Sequence, residues 1–387
     1  MRVPNPYVRR HTAAGVVCAV LLVLLASGCD DDRVTGVQRP DDIQLSRGRA
    51  TETVTVMTFN VYVGADVDAI IDPTNPYPIP VRVAQAFQQL HDTYFADRAE
   101  VIADEIERQQ PHLIGLQEIS LIRRQTPSDF VWPNAEDVVF DYLDILMSEL
   151  GSRGLDYQVA GVVENFDIEM PMYVPEAPLD DVRLTDYDVV LARGDVDVSN
   201  KLESNYGAFL GPPYVPVALF RGYVAVDATV NGRTYRFVNT HLEPASEYIQ
   251  GLQAEELMAV LASAGKPVIL VGDLNTEAPT GATYQYIESQ GYLDVWTRNL
   301  QKGEGEGLTN PHDLDLLNPT VDFTKRIDLI FVRNNGGASK RPALGPVYAT
   351  VWGDELHERL PSGMWASDHA AVIAELWIPI LGAPAYK

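Results

Sequence analysis

Six short motifs that carry Asn, Glu, Asp or His follow one another along the chain. They are Thr58-Phe59-Asn60, Gln117-Glu118, Asn239-Thr240-His241, Gly272-Asp273-Leu274-Asn275, Arg326-Ile327-Asp328 and Ser367-Asp368-His369. Most of them stand at the end of an apolar, β-branched run, where a strand delivers a side chain to the rim of a sheet. Each motif alone also has a plain structural explanation, such as a turn or a salt bridge, so the inference depends on the whole set.

The residue types in these motifs indicate hydrolysis of a phosphoester with the help of a divalent cation. Such a reaction needs charge neutralisation, an activated water and a stabilised leaving oxygen. Hard carboxylate and amide oxygens favour Mg²⁺, with Mn²⁺ or Ca²⁺ as further candidates, over zinc. The sequence contains no His-Glu-x-x-His motif, no Walker loop, no dinucleotide-binding Gly motif and no Gly-x-Ser-x-Gly elbow.

Strand and helix patterns alternate along the chain. Strands are predicted over 53–60, 113–119, 157–163, 186–192, 267–272, 326–332 and 370–377, with a hairpin of 215–230 and 234–241 around Asn231-Gly232. Helices are predicted over 97–110, 137–150, 246–263 and 280–290. Two long stretches, 62–94 and 164–185, are predicted as insertions that either wall a substrate cleft or decorate the surface. Interleaved strands and helices with hairpins favour two packed mixed sheets with outer helices.

The motif set resembles the endonuclease/exonuclease/phosphatase (DNase I-like) superfamily. This superfamily includes pancreatic-type DNases, abasic-site endonucleases, neutral sphingomyelinases and inositol polyphosphate 5-phosphatases. The resemblance extends from Thr53 to Trp377, and the Gly-Asp-Leu-Asn and Ser-Asp-His motifs are its most specific parts. It implies an α/β fold, a four-layer sandwich in which helices flank two packed mixed sheets and the site lies at one edge of both.

The resemblance also implies a metal site. Glu118 would be the main ligand, Asn60 would ligate or orient the metal water, and Asp368 would complete the site. Mg²⁺ is the expected ion. Whether one metal or two would act stays open from the residues alone.

The remaining motif residues would act on the phosphate and the water. Asp273 would position the attacking water, and Asn275 would hold a phosphate oxygen. His369 would be the general base or a phosphate-contacting imidazolium, with Asp328 behind it to fix its tautomer. His241 would donate to a nonbridging phosphate oxygen. Which of the two histidines transfers the proton stays open.

The N-terminus has the pattern of a secretory signal. Arg2, Arg9 and Arg10 precede an apolar run over 13–26 without an acidic residue, and this run is short for a transmembrane helix. The run ends in Leu-Ala-Ser-Gly before Cys29, which resembles a bacterial lipoprotein box. We therefore expect cleavage before Cys29 and lipidation of its thiol. The alternative is an ordinary secretory cleavage with an incidental cysteine.

These features divide the chain into three parts. We predict a lipoprotein signal peptide over 1–28, a flexible tether over 29–52 that is poor in aromatic residues, and one catalytic domain over 53–387. The protein would then be extracytoplasmic and anchored to a membrane, in the periplasm or at the cell surface. We expect a monomer.

Charge and motif departures bear on the substrate. The formal net charge is -25 with only 29 Lys and Arg, so the chain lacks a broad basic footprint for nucleic acid. Ile119-Ser120 replaces the Thr-Lys of abasic-site endonucleases, and Thr276-Glu277 replaces the Tyr-Arg of the inositol phosphatases. We expect a phosphodiester in a phospholipid or sphingolipid head group. The alternatives are a nonspecific nuclease for DNA or RNA, and a catalytically inactive binding lipoprotein on the same fold.

Overall fold

The fold consists of two β-sheets that face each other, with helices on both outer sides. The computed structural model describes residues 53–211, 217–301, 303, 305–334 and 344–379. Its strands are β1 (Thr53–Asn60), β2 (Leu113–Gln125), β3 (Asp137–Asp141), β4 (Tyr157–Met172), β5 (Asp180–Arg193), β6 (Asp197–Asn205), β7 (Gly222–Val230), β8 (Arg233–His241), β9 (Val268–Asp273), β10 (Leu293–Asp294), β11 (Asp328–Arg333), β12 (Val347–Trp352) and β13 (Ala371–Trp377). Its α-helices are α1 (Asp68–Ile71), α2 (Ile79–Asp92), α3 (Phe95–Gln109), α4 (Tyr142–Ser152), α5 (Glu247–Leu261) and α6 (Ala282–Ser289).

Both sheets are mixed. The first has the order β12-β13-β1-β2-β5-β4, with β3 paired to β2, and the second has the order β10-β11-β9-β8-β7-β6. The pairs β1–β2 and β8–β9 are parallel, and the other pairs between neighbouring strands are antiparallel. Parallel neighbours end at the same edge of a sheet, so β1 with β2, and β8 with β9, deliver their motif residues side by side.

Alternating side chains build a core on each face of each sheet. Val54 and Val56 of β1 belong to the core between the sheets, which also contains Ile269 and Val271 of β9. Met57 and Phe59 face outward and pack with α3 and α4, whereas Leu270 belongs to the core with α5 and α6. The order of layers is therefore helices, sheet, sheet, helices, as the sequence predicts.

The prediction of one helix over 137–150 is wrong for its first five residues. Residues 137–141 form β3, and α4 begins only after Asp141, whose carboxylate accepts a hydrogen bond from the Asp144 amide at 3.0 Å. The β-branched Val138 and Val139 favour the strand, and the Asp141 cap gives the helix its start.

The two stretches predicted as insertions are ordered parts of the scaffold. The segment 62–94 contains α1 and α2, and β4 and β5 continue through 164–185 as a long hairpin. Acidic residues obscure the apolar–polar alternation of this hairpin in the sequence. One of them, Asp167, is satisfied across the hairpin, where its Oδ1 accepts a hydrogen bond from Arg183 Nε at 2.8 Å. Strands β6 and β12 are also absent from the sequence prediction.

The predicted signal peptide, Cys29 and the tether lie outside the described residues. Among the helices that the structure describes, none has the length and hydropathy needed to cross a bilayer.

Candidate active site

The strand register brings three motif residues into one row. Parallel pairing places His241 at the end of β8 opposite Asp273 at the end of β9, and antiparallel pairing places Asp328 of β11 on the other side of Asp273. The glycine before Asp273 permits this close pairing. A Cβ at Gly272, whose φ is +152°, would lie 1.9 Å from the Thr240 carbonyl oxygen on β8.

Asn60 connects the two sheets at this edge. Its Nδ2 donates to Glu118 Oε1 at 2.9 Å and to Asp273 Oδ2 at 3.1 Å. Glu118 stands at an irregularity in the pairing of β2 with β5, with a φ of 60°, and its Oε2 accepts from the Val63 amide at 2.8 Å. A positive φ is uncommon for a residue other than glycine, and residues with such a backbone conformation concentrate at functional sites.

His369 forms a buried pair with Asp328. Nδ1 of the imidazole lies 2.8 Å from Asp328 Oδ2, and Nε2 lies 3.8 Å from Asp273 Oδ2. Burial alone would lower the pKa of His369, but the carboxylates of Asp328, Asp273 and Asp368 raise it well above its ordinary value. Burial, followed by the charge of Asp328, raises the pKa of Asp273 to about 7.

His241 has a different environment. Nη1 of Arg221 lies 3.0 Å from its Nδ1, and its Nε2 lies 3.5 Å from Asp273 Oδ2. Because arginine only donates, Nδ1 must accept, and the proton of a neutral ring is then on Nε2. Burial, Arg221 and His369 lower the pKa of His241 well below its ordinary value. The geometry thus suits His241 to donate a hydrogen bond into the site.

The donor set fits a divalent cation. Asp273, Asp328 and His369 each offer a ligand atom within 4.8 Å of the others, and the buried Oδ1 of Asp328 has no hydrogen-bond partner among the residues that the structure describes. Burial and the neighbouring Glu118 carboxylate raise the pKa of Asp368 to about 6, against the opposing effect of His369. Clustered carboxylates that repel one another are a setting in which a hard cation is stabilising.

The predicted metal ligands and this Asp–Asp–His group differ but share one site. Glu118, Asp368, Asp273 and His369 line the same cavity. Asn275 lines it as well. Its backbone amide donates to Asp273 Oδ1 at 2.9 Å and its Nδ2 donates to the Leu242 carbonyl at 3.0 Å, so it holds the loop after β9 in place.

The structure adds residues that the motif reasoning missed. Asp186 and Asp188 of β5 are buried beside the site, and burial raises the pKa of Asp186 to about 7. Within the described ranges neither oxygen of Asp188 has a hydrogen-bond partner, and the nearest cation-forming atom is His241 Nδ1, 3.9 Å from its Oδ1. Burial and Asp186 raise the pKa of Asp188 well above its usual range. Two aspartates in a predicted buried strand were a visible signal. Arg221 belongs to no motif, and only the fold brings it to His241.

Two facing mixed sheets with a carboxylate- and imidazole-lined edge define a DNase I-like fold. The chain matches the model of the Endonuclease/Exonuclease/phosphatase family over residues 57–369 and belongs to this family, whose members are hydrolases that act on phosphoester bonds. No curated protein gives a significant match to the sequence.

One solved structure supports the fold, and two further structures show a weaker similarity. A family protein from Bacteroides thetaiotaomicron has a TM-score of 0.52 and 16% identity, covering 85% of this chain and 98% of that chain. A humanized D. rerio TDP2 with 14 mutations has a TM-score of 0.49 and 16% identity, with 84% and 99% covered. D. rerio TDP2 complexed with a single strand DNA product has a TM-score of 0.46 and 16% identity, with 84% and 98% covered.

Proposed function

We propose that the protein is an extracytoplasmic, membrane-anchored hydrolase that cleaves a phosphodiester of a lipid head group and depends on a divalent cation. The observation that carries the reaction type is the row of His241, Asp273 and Asp328 with His369 behind it. The predicted lipoprotein signal over 1–28, which precedes Cys29, supports the location and the lipid substrate. In this proposal residues 1–28 are removed, 29–52 connect the anchor, and 53–387 form the catalytic domain.

The cation would be Mg²⁺, with Mn²⁺ or Ca²⁺ as alternatives, held by Glu118, Asn60 and Asp368. When bound, it supplies positive charge to the phosphate and lowers the pKa of a water. Glu118 and Asp368 offer the hard oxygens that such an ion prefers, and Asn60 holds Glu118 in position through its Nδ2.

The chain's own residues divide the remaining work. Asp273 stands between the two imidazoles, where its Oδ2 is placed to orient the attacking water. His369, held by Asp328, is the group suited to exchange a proton with the water or the leaving oxygen. His241 and Asn275 contribute donors to the nonbridging phosphate oxygens.

A nonspecific nuclease is the alternative within the same reaction class. Nuclease activity would fall steeply as salt rises, because phosphate contacts release counterions, whereas head-group hydrolysis would respond far less. The net charge of -25 disfavours a broad surface that binds a polyanion such as nucleic acid. The inactive binding lipoprotein is disfavoured, since all six motifs retain their polar residues in one site.

The test is a hydrolysis panel with the purified protein, in Mg²⁺ and in EDTA, at low and high salt. The panel contains plasmid DNA, RNA, phospholipid and sphingomyelin micelles, and bis-p-nitrophenyl phosphate. We expect EDTA-sensitive cleavage of a lipid substrate that changes little with salt. Cleavage of DNA or RNA with a steep salt dependence would favour the nuclease. If a folded, metal-binding protein hydrolyses none of the substrates in the panel, the result would favour the inactive binding lipoprotein.

Glu118→Gln is expected to weaken metal binding as well as activity. A ligand that binds only the folded state raises the unfolding temperature, so Mg²⁺ should raise the Tm of the natural protein and raise that of Glu118→Gln much less. Differential scanning fluorimetry over a Mg²⁺ titration measures this shift. Glu107→Gln, an exposed acid on α3, is the matched control and should keep the full shift. Equal shifts in both variants would remove Glu118 from the ligand set.

A further inference from the structure

One cavity of about 280 Å³ joins the catalytic side chains to an apolar chamber. Glu118, Asp273 and His369 line one part of it. Another part is lined by aliphatic and aromatic side chains from α1, α2, β2, β4 and β5, and we define the apolar chamber by six of them: Ala86, Phe87, Ile122, Ile168, Met170 and Leu184. The charged side chains of Asp66, Asp68 and Arg221 also line the cavity. Because the two surfaces share one cavity, a group in the chamber lies beside a phosphate at the catalytic residues.

The strand register shows how the chamber is oriented. Asp186, Leu184 and Val182 alternate on β5, so they share one face of the sheet, which changes from acidic to apolar along the strand. Their partners on β4 are Phe166, Ile168 and Met170, and Ile122 of β2 also pairs with Leu184. All of these residues line the cavity. Asp186 and Val182 are four positions apart, which corresponds to ~13 Å along a strand, so the chamber extends away from the catalytic edge.

The far end of these strands has exposed apolar side chains. Gln125 of β2 pairs with Asp181 of β5, which pairs with Pro171 of β4, so the loops that follow these positions lie at one end of the sheet. The Tyr173 amide donates to the Pro80 carbonyl at 2.8 Å, which brings the start of α2 to the same end. The exposed residues there are Tyr77, Ile79, Phe130, Val131, Trp132 and Tyr173. Exposed apolar side chains near the mouth of an apolar cavity can contact another apolar surface, and aromatic residues suit a membrane interface.

We propose that the apolar chamber binds a hydrocarbon chain of an amphiphilic phosphoester whose phosphate lies at Glu118, Asp273 and His369. This inference rests on the proposed function and names the part of the substrate that the chamber takes. A nucleobase is bound by stacking on aromatic faces and by hydrogen bonds to its edges, whereas Phe87 is the one aromatic residue among the six and the other five offer aliphatic or thioether surface. An apolar cavity of about 150 Å³ holds one benzene, so this cavity takes one chain segment and not two long chains.

The test is a homologous series of inhibitors against a substrate without a long chain. n-Alkyl phosphonates from methyl to decyl compete with bis-p-nitrophenyl phosphate, each below its critical micelle concentration. The inhibition constant is expected to fall roughly two- to fourfold per methylene until the chamber is full. A series that is flat from methyl to decyl would overturn the proposal. So would a dinucleotide that inhibits more tightly than decylphosphonate.

A matched pair of variants on α2 locates the binding surface. Ala86→Phe places a ring in the chamber and is expected to remove the dependence on chain length, so that methyl- and decylphosphonate inhibit alike. Gln85→Phe adds the same ring at the exposed neighbouring position and should keep the full dependence of inhibition on chain length. Retention of the series in Ala86→Phe would contradict the assignment. If Ala86→Phe does not fold, the series on the natural protein still decides.

The failure of this inference is distinguishable from failure of the proposed function. Absence of EDTA-sensitive hydrolysis of bis-p-nitrophenyl phosphate would remove the proposed reaction. EDTA-sensitive hydrolysis together with a flat inhibitor series would keep the reaction and remove only the chamber's ligand.

Discussion

Replacement of His369 by alanine is expected to lower kcat by at least ~10²-fold, the loss typical of an acid–base group. The imidazole is held 2.8 Å from Asp328 and faces Asp273 at 3.8 Å, so its removal takes away the proton-transfer group that stands beside the proposed water-orienting carboxylate. We do not expect His241 to replace it, because Arg221 occupies the Nδ1 of His241 and the proton of its neutral ring is then on Nε2, which leaves no free ring nitrogen to accept a proton. The measurement is steady-state kinetics on the substrate that the panel identifies.

His357→Ala is the matched control for this loss. His357 is exposed and belongs to no motif, so its variant should retain full turnover. Urea unfolding of both variants separates a catalytic defect from a folding defect. Near-normal turnover of His369→Ala on any phosphoester would exclude His369 as the acid–base group.

The two-sheet fold, and the grouping of the motif residues at one edge, are predictable from the sequence because both are reflected in local patterns. The catalytic and metal-binding roles of these residues come from the family resemblance and stay predictions. Apolar runs that end in Asp273, His241 or Asp328 predict strand ends, and strand ends at one edge predict a shared site. The order of the layers follows from interleaved strands and helices. These inferences need no knowledge of which strands pair.

The remaining features depend on contacts between distant segments. Glu118 reaches Asn60 through a bulge in β2, and a bulge has no local signal in Gln117-Glu118-Ile119. Arg221 meets His241 only because β7 pairs with β8. The sequence offers a cleft wall as one interpretation of the segments 62–94 and 164–185, but it does not show that their apolar side chains meet Ile122 of β2 in one chamber.

A buried arginine connects the loop that follows Asn60 with the loop that carries His369. Arg98 of α3 is fully buried, and its guanidinium donates to four carbonyl oxygens. The carbonyl oxygens of Val61 and Tyr62, just after Asn60, lie 2.5 and 3.1 Å from the guanidinium nitrogens. The carbonyl oxygens of Ala366 and Thr93 lie 3.0 and 2.8 Å from them. Ser367, which follows Ala366, donates to the Asn60 carbonyl at 2.7 Å. The arrangement fixes both loops against one helix.

Arg98→Met is therefore expected to destabilise the protein by at least ~3 kcal/mol, because it leaves buried carbonyls without donors. Arg98→Lys should also destabilise it, since an ammonium cannot reproduce the planar fork that reaches four carbonyls. The midpoint of urea unfolding at constant m-value measures the loss. Glu107→Met, on an exposed position of the same helix, should stay within ~0.5 kcal/mol of the natural protein. A change in Arg98→Met no larger than that control would show that the loops hold their positions without the arginine, and the origin of the Asn60–His369 geometry would then lie in the strand register alone.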